Sequence, residues 1–493
     1  MNPLSLPWLE LAIIASLVGS PAISFIRDPR RAFRGCLFFT GMSLVCALLA
    51  WLGFALGAPQ GSASFGSIQP FLFGRILFAI DELNAPLIAA VALMHFLVAL
   101  ATARTHMRRF SFASSLAFEA IRLAMFSCVE PWVLIGLLTA ATIPPYVELL
   151  NRGRPTRVYT LHMALFVILL VVGWTAVELG GISEGRTTWW ATVPLLAAIL
   201  VRCGTIPAHC WLTDWFEHAS PGLALLFVLP LSGMYAAVRL VLPIAPDWVL
   251  QSLGLMSLLT AIYAAGMATI QLETRRFFAH LFLSHSSLVL VGLELHNELA
   301  FTGCLCLWFS VILSLGGFGL TLRSLEARFG RLSLSTYHGL YAHAPTLAVC
   351  FLLTGLASVG FPLTIGFIST ECLVDGAIEV SPSVGVVVAA AAALNGIAVV
   401  RAYFLLFTGT RHVSTIFLGI GARERFAVLT LATLILLGGV LPQPGVDTRR
   451  RAAEKILEDR EIRPSLPRPA KSPASPMNRP PGVVPQKPRP HDP

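Results

Sequence analysis

The chain has 493 residues, 56% of them hydrophobic and 12% charged, with a formal net charge of +9 and a mean hydropathy of +0.75. Soluble domains run nearer about 45–50% apolar and 25% charged, so this composition excludes a water-soluble globule, a secreted disulfide scaffold and a nucleic-acid binder. The positive charge lies in short loops and a tail, as membrane topology signals do.

Apolar runs of about 20 residues, each long enough to cross a hydrocarbon core, recur from Trp8 to Pro442. They predict an all-α polytopic protein with fourteen spans: 8–26, 34–57, 83–104, 113–129, 131–150, 158–180, 188–209, 222–243, 249–271, 276–295, 300–323, 343–379, 384–409 and 424–441. The first run lacks a basic leader and a cleavage site, so it reads as a retained helix. The seventh contains Gly204 and Pro207 and is expected to break. The twelfth is too long for one crossing and holds Gly360, Pro362 and Gly366, so it reads as a second broken helix. Interrupted backbone at membrane depth persists where protein or a wet cavity satisfies the freed groups. Two breaks five spans apart suggest two related half-units with polar interiors.

The loops alternate in charge. Those after odd-numbered spans carry Arg27, Arg30, Arg31 and Arg34, then Arg104, Arg108 and Arg109, Arg152, Arg154 and Arg157, Arg275 and Arg276, Arg323, Arg328 and Arg331, and Arg411, Arg423 and Arg425. Loops after even-numbered spans carry little beyond Arg75 and Arg186. The positive-inside rule puts the first set in the cytoplasm. An even count then puts both termini on the non-cytoplasmic side of a cell inner membrane, although Arg449, Arg450 and Arg451 make the tail basic. Four segments are expected: 1–112 as spans 1–3, 113–410 as a core of spans 4–13, 411–445 as span 14, and 446–493 as a basic tail. Residues 446–462 read as an amphipathic surface helix or a solvated charged stub. Residues 464–493, roughly one-third proline, are expected to be disordered.

The nine cysteines form no CxxC pair and no zinc-spaced Cys/His cluster, and they read as small buried hydrophobes. Iron–sulfur ligand sets and phosphate-binding glycine loops do not occur. No metal or cofactor, NADH and quinone included, is therefore expected on this chain.

An ionisable residue within a span costs at least about 2.5–3.5 kcal/mol on insertion scales, so it is a functional candidate. The richest stretch holds Arg202 at mid-depth, then His209, Asp214, Glu217 and His218 at the break, and Arg239 in the next span. A second holds Glu273, Arg275, Arg276, His280 and His285; a third holds Glu371, followed by Arg401. His162 and His280 read as hydrogen-bonded packing residues, and Arg275 and Arg276 as topology and headgroup anchors. The ion-translocation candidates are thus Arg202, His209, Asp214, Glu217, His218, Arg239, His285, Glu371 and Arg401.

These clusters resemble the antiporter-like membrane subunits shared by respiratory complex I and Mrp-type sodium/proton antiporters, the subunit M/L type above all. That family reads roughly K-x-P-x-x-P-x-H-x-W-L-P-D-A-H-x-x-A-P in its broken seventh helix, matched here by Arg202, Pro207, His209, Trp211, Leu212, Asp214, His218 and Pro221. Its Y-x-x-x-R is Tyr235 and Arg239. Its Q-x-D-x-K-R segment runs from Gln271 through Glu273, Arg275 and Arg276 to Ser284 and His285. Its G-x-P-x-x-x-G-F-x-x-K-E is Gly360, Pro362, Gly366, Phe367, Thr370 and Glu371. Asp81, Leu83, Pro86 and Leu87 resemble the entry to the family's third helix, and Arg401 before Phe407 and Gly409 its late arginine. The match runs over about residues 75–410. It implies two five-helix repeats, membrane partner subunits in a hetero-oligomeric complex, and a part in proton or cation translocation.

The departures bear on mechanism. The resemblance implies a line of protonatable groups, yet the family's fifth-helix glutamate is Thr139 here, aligned through Pro144, Pro145 and Tyr146. The seventh-helix lysine is Arg202, the eighth-helix Lys or His is Leu231, the eleventh-helix His is Val311, and the twelfth-helix Lys or Glu is Thr370, next to Glu371. Arginine keeps its charge, so Arg202 biases a field or holds an anion but cannot relay a proton. Its charge is expected to meet backbone carbonyls and water at the Gly204–Pro207 break, or else a carboxylate of Glu178, Asp214 or Glu217. His209, His218, His285 and Glu371 remain as titratable groups, with Glu130 and Glu148 near the ends of the fifth span. Two other roles fit the same fold: a membrane subunit of an energy-coupled inorganic-carbon uptake system paired with a soluble zinc protein, and a scaffold that has lost conduction.

Overall fold

The structure, a computed structural model, describes residues 6–57, 69, 74–103, 107, 110–180, 182–183, 186–295, 297–409 and 420–462. The expected disorder of 464–493 and the loop residues Arg104, Arg108, Arg109 and Arg411 lie outside the described residues, and of Arg186 only the backbone is described.

Among the described residues the fold is helical, with one short hairpin of β1 (Ile182–Ser183) and β2 (Arg186–Thr187). The first four spans are single helices: α1 (Trp8–Ser24), α2 (Pro29–Ala55), α3 (Ala85–Leu100) and α4 (Phe112–Ser127). The fifth is α5 (Pro131–Ala140) with α6 (Ile143–Asn151), and the sixth is α7 (Arg157–Glu178). The seventh is α8 (Trp189–Cys203) with α9 (Cys210–His218); the eighth is α10 (Pro221–Val228) with α11 (Ser232–Ala236) and a π-helical turn over Ala237–Val241. Then come α12 (Asp247–Ile270), α13 (Thr274–Val291) and α14 (Glu298–Phe329). The twelfth span is α15 (Pro345–Ser358) with α16 (Ile365–Val380), followed by α17 (Pro382–Phe407), α18 (Ala422–Val440) and α19 (Gln443–Ile462).

Local chemistry starts several of these helices. Asp28 caps α2, accepting from the Arg30 amide at 3.2 Å, with Pro29 at the first helical position. Ser111 caps α4, and Asn297 caps α14 through the amides of Leu299 and Ala300. Seven spans are long and apolar enough to cross unaided, and four shorter apolar helices belong to spans 1, 3, 7 and 12. Spans 4, 10 and 14 are shorter or more polar and complete the fourteen.

Both expected breaks are present. Gly204 ends α8 in the left-handed region (φ 72°), and the chain resumes helical form at Cys210. Gly360 (φ 87°) and Leu363 (φ 67°) separate α15 from α16. Sequence reasoning missed a third interruption, at Pro230–Leu231 in the eighth span, where Leu231 is left-handed at φ 51°. The carbonyl freed there, of Pro230, accepts from Trp308 Nε1 at 3.1 Å.

Burial shows what is central. Spans 8 and 11 are 94% and 89% buried, against 33% for spans 2, 6 and 13. Lipid or partner subunits therefore face spans 2, 6 and 13, while spans 8 and 11 form the axis. At the crossing of α14 and α16, a Cβ on Gly303 would lie 2.4 Å from the Leu373 amide nitrogen. Glycine is what lets those two backbones approach.

The last helix decides between the two readings of 446–462, for a helix and against a solvated stub. It turns 79° from α18 and straps the face opposite the arginine-rich loops. Arg449 is 4% exposed and donates to the carbonyls of Leu83 and Glu82. Lys455 meets Glu82 at 2.8 Å, and Arg460 meets Asp247 at 2.7 Å. This is a docked helix rather than a solvated stub.

Candidate functional site

The breaks in spans 7 and 12 bring buried polar groups to mid-depth. Arg202 is the last-turn cation of α8, 5% exposed. Its Nη2 donates to Ser232 Oγ at 2.5 Å, and its guanidinium carbon lies 4.5 Å from the Phe227 ring centre and 5.7 Å from that of Trp211. Its Nε has no partner among the described residues.

Among the described residues, the Arg202 guanidinium meets a hydroxyl and two aromatic faces rather than a carboxylate. Two carbonyls in the last turn before the break are taken by other donors: Leu200 accepts from Thr205, and Val201 from Trp211 Nε1 at 2.9 Å. The candidate carboxylates also point elsewhere. Glu178 accepts from Trp132 at 2.6 Å, Asp214 pairs with His218 at 3.1 Å, and Glu217 pairs with Arg276 at 2.7 Å. A hydroxyl and aromatic faces hold Arg202 instead, the latter an established setting for a desolvated guanidinium.

At the second break, His285 on α13 is buried between two carbonyls. Nδ1 lies 2.7 Å from Leu281 O and Nε2 lies 2.8 Å from Ser358 O, the end of α15. Beside it Asn395 donates to Ser284 Oγ at 2.8 Å. The freed carbonyl of the twelfth span thus has a titratable partner.

The remaining candidates separate. Asp214, Glu217 and His218 lie at the arginine-rich end of the seventh span, half-buried. Arg401 shares that end, donating to Gln271 O at 3.2 Å. Arg239 is at the opposite end, paired with Asp81 and 5.2 Å from the Tyr235 ring centre. Glu371 is exposed on the outside of α16. Only Arg202 and His285 of the nine are buried. His209 sits at the first break against the Tyr263 ring, within electrostatic range of His162 and His280. Those two histidines each also face the carbonyl one turn back in their own helix.

Arg275 and Arg276 do more than mark topology. Arg275 grips Glu326 with two nitrogens and donates to the carbonyls of Glu217 and Ala219, both at 3.0 Å. Arg276 meets Glu217. Together they tie the ends of spans 7, 10 and 11.

Sequence reasoning missed three buried groups. Glu119 and Arg122 on α4 and His95 on α3 are all fully buried. Arg122 donates to Phe227 O, with its guanidinium carbon 4.4 Å from the Phe118 ring centre, and its Nε and Nη1 have no partner among the described residues. Glu119 lies near Ser16 and Ser43, on the side of spans 1 and 2, with neither carboxyl oxygen hydrogen-bonded among the described residues. The signal that identified Arg202, an ionisable residue inside a span, was present at all three. Of the substituted positions, Thr139 spends its hydroxyl on its own helix, donating to Ile135 O at 2.9 Å, and Val311 is packed in the core.

Residues 158–395 match the family model described as NADH:quinone oxidoreductase/Mrp antiporter, TM. The chain is 27% identical over 391 residues to NADH-quinone oxidoreductase subunit 13 of Thermus thermophilus, covering 73% of this chain and 81% of that one. Among solved structures, a chain of respiratory complex I from Thermus thermophilus with bound NADH superposes with a TM-score of 0.80 at 23% identity, over 92% of this chain and 99% of that one. A chain of the Mrp complex from Dietzia sp. DQ12-45-1b gives a TM-score of 0.79 at 15% identity, over 95% and 100%. The two structural likenesses are likenesses of fold.

Proposed function

From the premise that this chain is an antiporter-like membrane subunit of the complex I and Mrp type, we propose that it serves in a complex I-like assembly and takes part in proton translocation. The observation that carries this reading is the second break, where the buried His285 faces the freed Ser358 carbonyl. A neutral imidazole has one N–H to give, so it serves one of its two carbonyls at a time. A proton arriving at one nitrogen and leaving from the other exchanges which carbonyl is served. The histidines near the first break, His162, His209 and His280, supply further stations from the arginine-rich side. Water in the interrupted backbone connects them. Residues 113–410 form the translocating core, the arginine-rich face is cytoplasmic, and both termini lie opposite.

Partners are other membrane subunits, with the exposed spans 2, 6 and 13 available to them. A soluble zinc protein is the alternative partner, and co-purification of the tagged chain from its native membrane distinguishes the two. The test of function is proton flux in proteoliposomes containing the purified assembly and a pH-sensitive dye. Flux that falls in His285→Ala with assembly intact supports the reading; unchanged flux removes it. A conduction-deficient scaffold is the second reading. It is favoured by Thr139, Leu231, Val311 and Thr370, which do not titrate, and by Arg202, which keeps its charge, at positions where the family's line of protonatable groups is expected, and it predicts no flux in the parent.

A further inference from the structure

We propose that the first half-unit binds a small monovalent inorganic anion, of the chloride class, at mid-depth beside Arg202. The inference stands apart from proton movement and rests on charge and geometry alone.

Two guanidiniums are buried here, Arg202 on α8 and Arg122 on α4. Both lie against Phe227, at 4.5 and 5.8 Å from its ring centre, which holds the two charges within about 10 Å of each other in a medium where charges interact strongly. Neither gives up its proton, since a guanidinium stays charged in proteins. Neither makes a salt bridge among the described residues. Burying even one unpaired charge is strongly unfavourable.

The neighbouring groups do not supply the missing negative charge. The Tyr159 hydroxyl donates to Thr142 O at 2.9 Å, so the phenol keeps its proton. Glu119, on the same helix as Arg122, makes no ion pair with it, and neither of its carboxyl oxygens has a hydrogen-bond partner among the described residues. Aromatic faces offset part of the cost, but they leave Arg202 Nε and Arg122 Nε and Nη1 without acceptors.

Beside Arg202 lies a cavity of about 20 Å³, lined by Ser232, Trp211, Leu231, Phe282 and Ser286 among others. One water-sized particle needs at least about 10–15 Å³ by the same measure. The space has room for a single small ion. It is furnished with a guanidinium and the Ser232 hydroxyl, which accepts from Arg202 and keeps its own proton to donate, while the Ser286 hydroxyl donates to Leu283 O at 3.1 Å; no carboxylate lines the cavity. Gly233 keeps the wall close: a Cβ there would lie 2.5 Å from Cys203 Sγ and 3.3 Å from Arg202 Cγ.

The experiment uses the full chain and bromide as the probe. Crystals grown in bromide are measured for anomalous scattering, and thermal unfolding is followed while bromide replaces gluconate at constant ionic strength. The proposal expects one anomalous peak next to Arg202 and a saturable rise in melting temperature. Arg202→Gln should lose both, and Arg122→Gln should weaken the saturation at least several-fold. Absence of a peak beside Arg202 in the parent, with equal stability in bromide and gluconate, overturns the proposal. Peaks confined to surface arginines, an adventitious ion only, overturn it as well. The parent's own peak decides the matter if a variant does not fold. Proton flux is not read in either measurement, so failure of the transport reading is seen separately in vesicles.

Discussion

His285 Nε2 lies 2.8 Å from the carbonyl oxygen of Ser358, so a side chain from the tenth span closes the broken end of the twelfth. A freed carbonyl inside a membrane finds no donor in lipid and must be met by protein or by trapped water. The contact gives the break a fixed geometry, and it places the ring where a proton arriving along the interior meets backbone acceptors on both sides.

Removing that ring should therefore cost both stability and flux. His285→Ala leaves the Ser358 carbonyl buried without a donor, a loss of about 1–3 kcal/mol. Thermal unfolding in detergent checks the first effect. His285→Gln restores one donor and should recover part of the stability. It offers no titratable group and should not recover flux.

Arg202→Lys tests the charge at the first break. The guanidinium rests on Phe227 and Trp211 and reaches Ser232. A lysine keeps the charge but loses the planar stacking, so the variant should melt at a lower temperature than the parent. It also introduces a group that can lose its proton when buried. Flux in proteoliposomes should then depend more steeply on pH than in the parent. An identical pH profile would show that this position takes no part in conduction.

Much of this site was legible before the fold was known, for a physical reason. In lipid, backbone polar groups must be satisfied internally, so a glycine followed two or three residues later by a proline within an apolar run reads directly as a broken helix. Gly204 and Gly360 behave that way. Partners were not legible, because pairing depends on which spans pack together. Arg202 turned to Ser232, thirty residues on, rather than to the break beside it. The kink at Leu231 carried the weaker signal of one Pro in an unbroken apolar run. Glu119 and Arg122 were readable by the same rule as Arg202, but they lie outside the family motifs that drew attention to spans 7, 10 and 12.

Glu371 tests whether an exposed acid belongs to an interface. It lies on the outer surface of α16. Glu371→Gln should change the stability of the isolated chain by no more than about 0.5 kcal/mol, as surface substitutions do. In the assembled complex the same change should lower flux if Glu371 faces a partner's polar interior. Flux measured with equal amounts of assembled parent and variant checks this, and equal rates would leave Glu371 as a surface acid with no part in translocation.

The strap formed by α19 carries the final prediction. Arg449 is buried with two nitrogens on the carbonyls of Leu83 and Glu82 and its guanidinium carbon 5.5 Å from the Phe309 ring centre. Those carbonyls stand at the start of the third span, where the chain enters from a loop. Arg449→Met preserves much of the apolar stem and removes the donors, which should cost about 1–3 kcal/mol through the unsatisfied carbonyls. Lys455→Ala removes a more exposed pair with Glu82 and should cost no more than about 1 kcal/mol. The Glu82 hydrogen bond holds the Lys455 amine above its ordinary value. A raised amine contributes fully at neutral pH and loses its contribution only as pH climbs through that raised value. The strap's stability should accordingly stay flat from mildly acidic to mildly alkaline solution. Hydrogen exchange of α19 amides reads both effects: Arg449→Met should speed exchange along the helix, and Lys455→Ala should leave it nearly unchanged. Equal protection in parent and Arg449→Met would mean that apolar contact alone docks the helix.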